Sequence, residues 1–150
     1  FDAIRYEGPG TELTVQLPSK HLWISGMEND VNGIPFLPNI PTEEVFTAPY
    51  KYGINGRVSS SMPLVYQGNI IDEFWLEFKD GKVADFDAKT GKNILKELID
   101  TDEGASYIGE VALVDITSPI YKLGKIFYNT LYDENAASHF ALGHSAKGSD

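Results

Sequence analysis

The stretch Ile70-Ile71-Asp72-Glu73-Phe74-Trp75-Leu76-Glu77-Phe78-Lys79-Asp80-Gly81-Lys82-Val83-Ala84-Asp85-Phe86-Asp87-Ala88 decides the fold. Ile70–Phe78 is rich in Ile, Phe and Trp, residues that fit a pleated, half-buried surface. Lys79-Asp80-Gly81-Lys82 reads as a hairpin turn, because Asp-Gly supplies the positive φ angles of a tight primed turn. Val83–Ala88 then returns as the partner strand. Upstream, Leu64-Val65-Tyr66 runs into the turn Gln67-Gly68-Asn69, and Arg57-Val58-Ser59-Ser60 reads as a short strand. Together these segments predict a meander.

Outward from the meander the periods change. Thr11–Leu17 alternates Leu13, Val15 and Leu17 with Glu12, Thr14 and Gln16, a period of two that predicts a half-buried strand. Residues 25–41 carry Gly26, Gly33, Pro35, Pro38 and Pro41 and read as loop, stiffened towards its end. Pro41–Phe46 reads as a strand edge, with alternation placing Glu43 and Glu44 on opposite faces. On the other side, Ile94, Leu95 and Leu98 recur at helical spacing within Thr90–Ile99, with Thr90 or Asp87 available as the cap. Asp102–Tyr107 adds a short helical turn. Val111-Ala112-Leu113-Val114 reads as a buried strand. Asp133–Leu142 predicts a helix, capped by Asp133 and ended by Gly143. The fold class expected is α+β, with a mainly antiparallel sheet and a few helices.

A chain of 150 residues bounds this to about one domain. Its formal net charge of −10 opposes an anionic polymer or membrane surface, so nucleic acid and membrane are not expected partners. The same charge attracts cations, including the free amino terminus of a peptide; plain solubility is the bland alternative. No cysteine is present, which excludes disulfides, thiolate nucleophiles and cysteine–zinc knuckles. No apolar run approaches the roughly 20 residues of a membrane-spanning helix. The chain begins at Phe1 rather than Met and stops abruptly at Asp150, so it reads as a piece of a longer protein.

Three acidic segments carry the chemistry. Glu43 and Glu44 follow the rigid Pro38-Asn39-Ile40-Pro41; Glu110 precedes a buried apolar run; His139 lies between Ser138 and Phe140. Each has an ordinary reading: two surface glutamates, a solvated strand end, a hydrogen-bonded histidine. As a set they are oxygen and nitrogen ligands without sulfur, which suits Zn, Co or Mn in a hydrolase. His144 and His21 read as non-ligands. No His-Glu-x-x-His helix is present, so a zincin is excluded on its motif. Ser59-Ser60-Ser61 lacks the frame of a nucleophile elbow, and Gly53-Ile54-Asn55-Gly56 does not make a phosphate loop.

These segments resemble the M29 metallo-aminopeptidase family, the aminopeptidase T or thermophilic aminopeptidase group. The stretches that carry the resemblance are Pro38–Thr47, Thr101–Ala105, Gly109–Val114, Ser118-Pro119-Ile120 and Phe127–Gly143, in the family's order and spacing over nearly the whole chain. The resemblance implies a cytoplasmic exopeptidase that removes amino-terminal residues from peptides, a homodimer, and a site with two divalent metal ions. It implies that residues 1–150 are a single domain, most of the carboxyl-terminal catalytic domain of a longer enzyme. It places metal ligands on Glu44, Glu110 and His139, which lie 66 and 29 residues apart. Glu43 is the one-residue alternative to Glu44, and whichever is not a ligand is the candidate general base; Glu43 is the catalytic residue expected.

Two departures stand out. The family's further histidine and aspartate ligands have no matching pair after His139, where only His144 and Asp150 remain. A tyrosine of the family, seven positions beyond its first histidine, is replaced here by Ala146. Two other readings therefore stay open: a noncatalytic piece that holds at most one metal or a partner, and a sheet-based interaction module whose acidic residues serve only solvation.

Overall fold

The computed structural model describes residues 1–145. Ala146 and Asp150, both singled out in the sequence, lie outside the described residues. Strands β1 (Ala3–Gly8), β2 (Thr11–Gln16), β3 (Ile24–Ser25), β4 (Glu28–Asn29), β5 (Pro35–Phe36) and β6 (Glu44–Thr47) come first. β7 (Ile54–Ser59), β8 (Leu64–Tyr66), β9 (Asn69–Lys79) and β10 (Lys82–Thr90) follow, then helix α1 (Lys92–Ile99). A 3-10 turn at Gly104–Ser106, strand β11 (Ile108–Val114), helices α2 (Pro119–Leu123) and α3 (Thr130–Glu134), and strand β12 (His139–Leu142) complete the described order. The fold is α+β and its strand pairs are antiparallel, as expected.

The larger sheet runs β1-β2-β7-β9-β10, with β8 also on β9. The β9–β10 hairpin turns as its Asp-Gly demands, with φ of 49° at Asp80 and 85° at Gly81. Alternation along β9 slips by one at Glu73, whose φ is 47°. Ile71 and then Leu76 and Phe78 are therefore all buried, although their spacing mixes odd and even positions. With Leu13, Val15, Ile54, Leu95, Ile99, Ile108 and Val111 they form one core that both main sheets share.

The smaller sheet runs β12-β11-β6-β3 and carries the candidate site. Three expectations change here. β6 is not an edge: it lies between β11 and β3. The helix expected over Asp133–Leu142 is instead a short helix, α3, followed by strand β12. Alanine-rich sequence favours helix only weakly, and pairing with the otherwise open side of β11 outweighs it. Finally, α1 is capped by Gly91, with no side-chain cap hydrogen bond. Thr90 is taken up as the last residue of β10, and Asp87 pairs with Lys92 at 3.0 Å.

Candidate metal centre

Register brings the three sequence-predicted ligands to one face of the smaller sheet. Val114 is opposite Glu44, and Ala112 is opposite both Phe46 and His139. Directly opposed residues share a face, as do residues two apart on one strand. Glu44, Glu110 and His139 therefore project from the same side of three neighbouring strands. One ligand atom from each lies within 4.8 Å of the others. Glu43 is exposed and lies outside this group.

A β-bulge makes the arrangement compatible with the core. The β11–β12 register shifts between Ile108 and Glu110, leaving Gly109 as the extra residue. Ile108 thereby turns to the core face with Val111, while Glu110 keeps the face of His139. Gly109 is needed for close approach. A Cβ there would stand 2.4 Å from the Gly143 carbonyl oxygen and 2.6 Å from that of His144.

The histidine's protons follow from its partners. Nδ1 lies 2.9 Å from the Ala137 carbonyl oxygen, which can only accept, so Nδ1 carries the hydrogen. Nε2 then presents its lone pair to Glu44 Oε2, 3.0 Å away, with both side chains largely buried. Two acceptors at that distance require a positive charge: a proton on Nε2, or a cation shared by both groups. The metal fits this donor set. A ligating imidazole ordinarily donates its other N–H to a carbonyl or carboxylate, and Glu44 Oε2 is otherwise buried without a hydrogen-bond partner.

Charge in the site is crowded. Burial raises the Glu110 carboxyl above its ordinary value, and the neighbouring Glu44 adds to that rise. Burial alone would depress the His139 imidazole, but its bonds to Glu44 and the Ala137 carbonyl, with the charges of Glu44 and Glu134, lift it above its ordinary value. Both shifts describe carboxylates short of counter-charge, which a divalent ion would supply.

Glu134, at the end of α3, was not singled out in the sequence. Burial raises its carboxyl, and it feels the charges of His139 and Glu44. It lines a cavity of about 690 Å³ together with Glu110, His139, Leu64, Phe74 and Leu98. Its position five residues before His139 was a usable signal, hidden because a continuous helix was expected there. His144 is exposed, and His21 lies in a loop with Nδ1 on the Pro18 carbonyl at 2.8 Å.

The sequence profile of the thermophilic metalloprotease family (M29) matches residues 1–149. Aminopeptidase AmpS of Bacillus subtilis is 51% identical over 143 residues, covering 95% of this chain and 35% of the relative. Aminopeptidase 2 of Geobacillus stearothermophilus is 56% identical over the same length, with the same two coverages. The structure of wild-type AmpT from Thermus thermophilus superimposes with a TM-score of 0.92 at 45% identity, covering 97% of this chain and 36% of that one. The chain thus spans about a third of the length of these relatives.

Proposed function

The chain belongs to the thermophilic metalloprotease (M29) family, and from that premise we propose that it is the greater part of the catalytic domain of a metal-dependent aminopeptidase. The observation that carries the reading is the convergence of Glu44, Glu110 and His139 on one sheet face, with the imidazole already oriented by the Ala137 carbonyl. A divalent ion held by these three would polarise a peptide carbonyl and bring the pKa of a water towards neutrality. Three protein ligands leave positions open for water and substrate, as catalytic sites require. The family resemblance implies a second divalent ion of the same chemical class. Zn, Co and Mn all suit the ligand set.

The remaining roles belong to the chain's own groups. Glu43 is the general base proposed from the sequence; its backbone is fixed beside Glu44, and its side chain is exposed. Glu134 competes for that role, because it lines the same cavity as Glu110 and His139. Either carboxylate would take a proton from water and return it to the leaving amine. The cavity is proposed to admit the first residue of a peptide, whose ammonium group suits the surrounding carboxylates. The full-length protein is proposed to work in the cytoplasm as a homodimer, without nucleic acid or membrane partners. Among the described residues, no helix is long and apolar enough to cross a membrane.

The test is hydrolysis of a leucyl anilide and of its N-acetyl derivative by Zn²⁺-, Co²⁺- or Mn²⁺-loaded protein. Cleavage of the free-amine substrate alone, abolished in Glu110→Gln, supports the reading. Tight metal binding with no turnover of either substrate favours the noncatalytic alternative. Within a cleaving protein, Glu43→Gln and Glu134→Gln separate the two bases: the true base loses kcat by about 100-fold or more while metal stays bound.

A further inference from the structure

Asn135 is among the most buried polar residues described, 1% exposed, in a place where a polar side chain needs a reason. Its amide bonds both to a segment 92 to 94 residues away and to its own helix, four residues back. Oδ1 accepts from the Glu43 backbone N–H at 2.6 Å. Nδ2 donates to the Leu131 carbonyl at 2.7 Å and to the Pro41 carbonyl at 3.4 Å. Its own backbone carbonyl accepts from the hydroxyl of Ser118, 3.1 Å away, and Ser118 is itself only 3% exposed.

These bonds meet where the metal group is assembled. Glu43 is the last residue before β6 and its ladder with β11, so its N–H has no sheet partner there, and Asn135 supplies one. The next residue is Glu44. Asn135 also follows α3 and leads, through Ala137 and Ser138, to His139. Ser118 caps α2 through bonds to the Ile120 and Tyr121 amides, just after β11, the strand of Glu110. One side chain and its carbonyl thus tie together the three segments that deliver Glu44, Glu110 and His139.

Only an amide does this. A carboxylate of the same shape would still accept from Glu43 N–H but would face two carbonyl oxygens with no hydrogen to offer. It would also add a charge beside Glu44 and Glu134, with which Asn135 lines a small cleft. Alanine would take away the partner that the Glu43 N–H and the Leu131 and Pro41 carbonyls have in this amide.

We infer that Asn135 is a positioning residue for the metal group: its amide holds the backbone that presents Glu44 against the segment that presents His139, so the ligands are in place before the ion arrives. This rests on the metal-binding reading above. It acts through its neighbours and is not itself a ligand.

The experiment is a Co²⁺ titration followed by visible absorption, on the wild-type chain and on Asn135→Ala, Asn135→Asp and Val15→Ala. Val15 is a fully buried core residue on β2, and its substitution reports what loss of stability alone does to binding. Denaturant unfolding of each metal-free variant fixes that loss. The expected result is a 10- to 100-fold weaker Co²⁺ affinity in both Asn135 variants, with a changed absorption spectrum, while Val15→Ala keeps wild-type affinity and spectrum. A folded Asn135→Ala with both unchanged overturns the inference, as does an equal loss in Val15→Ala. If neither Asn135 variant folds, Ser118→Ala decides by the same two readouts: a loss supports the role and no change overturns it. A wild-type chain that takes up no Co²⁺ overturns the metal reading itself and the inference with it, which distinguishes that failure from binding that ignores Asn135.

Discussion

His139 Nε2 stands 3.0 Å from Glu44 Oε2, while the other nitrogen of the same ring is committed to the Ala137 carbonyl. The pair needs a cation, and in the metal-free chain the available one is a proton. Proton and metal ion therefore compete for one place. Metal affinity is expected to rise with pH, and uptake to release protons, because the metal must displace those on His139 and on the raised Glu110 carboxyl. Titration calorimetry in buffers of different ionisation enthalpy checks this; uptake with no proton release between pH 6 and 7 would contradict it.

The same groups set the stability of the metal-free protein. Glu110, Glu134 and His139 all have raised folded-state pKa values, so the folded chain binds more protons than the unfolded one. Their contribution is complete below the ordinary pKa of each group and is lost as pH rises through its raised folded value. Metal-free protein should thus lose stability as pH rises above the ordinary glutamate range, and again as it rises above the ordinary imidazole value. The Asp30, Asp87 and Asp115 carboxyls are lowered and act the opposite way, but only below the ordinary aspartate range. Denaturant midpoints across pH test the sign, and saturating metal should flatten the profile.

Tyr6 predicts a separate alkaline effect. Its hydroxyl is buried with no hydrogen-bond partner among the described residues, its ring packs edge-on against Phe140 at 5.0 Å, and burial pushes its pKa up to about 12. A raised phenol stabilises the fold below its unfolded pKa near 10 and loses that contribution between there and about 12. Tyr6→Phe should remove this alkaline loss and leave neutral-pH stability unchanged or higher by up to about 1 kcal/mol. Melting curves of both proteins at pH 7 and pH 11 read it.

Gly109 couples packing to the site. Alanine there would force the bulge against the Gly143 and His144 carbonyls. Gly109→Ala is expected to cost about 1–3 kcal/mol and to weaken metal binding by moving Glu110. A variant with wild-type stability and affinity would show that the bulge does not set the position of Glu110.

Much of this was legible in the residues. The meander, the Asp80-Gly81 turn, the strand Thr11–Gln16 and the helix ending at Ile99 follow local pattern, because their apolar faces meet one core. Glu44, Glu110 and His139 were expected as ligands only through the family resemblance carried by the segments around them, since each alone has an ordinary reading. What failed was non-local. Ala136-Ala137-Ser138-His139 has no strand signal of its own, and β12 exists because β11 offers it a partner. The first strand, Ala3–Gly8, was not anticipated, and its neighbour β2 supplies the pairing. Asn135 escaped notice for the same reason: its value lies in bonds to residues 92 and 94 positions away, which no periodicity within a segment reveals.

The central claim is that Glu44, Glu110 and His139 hold a divalent ion. The most direct measurement is metal stoichiometry and affinity by equilibrium titration of Zn²⁺ or Co²⁺ into the wild-type chain and into Glu44→Gln, Glu110→Gln and His139→Ala, with folding of each checked by circular dichroism. The account predicts at least one tightly held ion per wild-type chain and a loss of affinity of about 100-fold or more in each folded variant. Metal content unchanged in all three variants would contradict it.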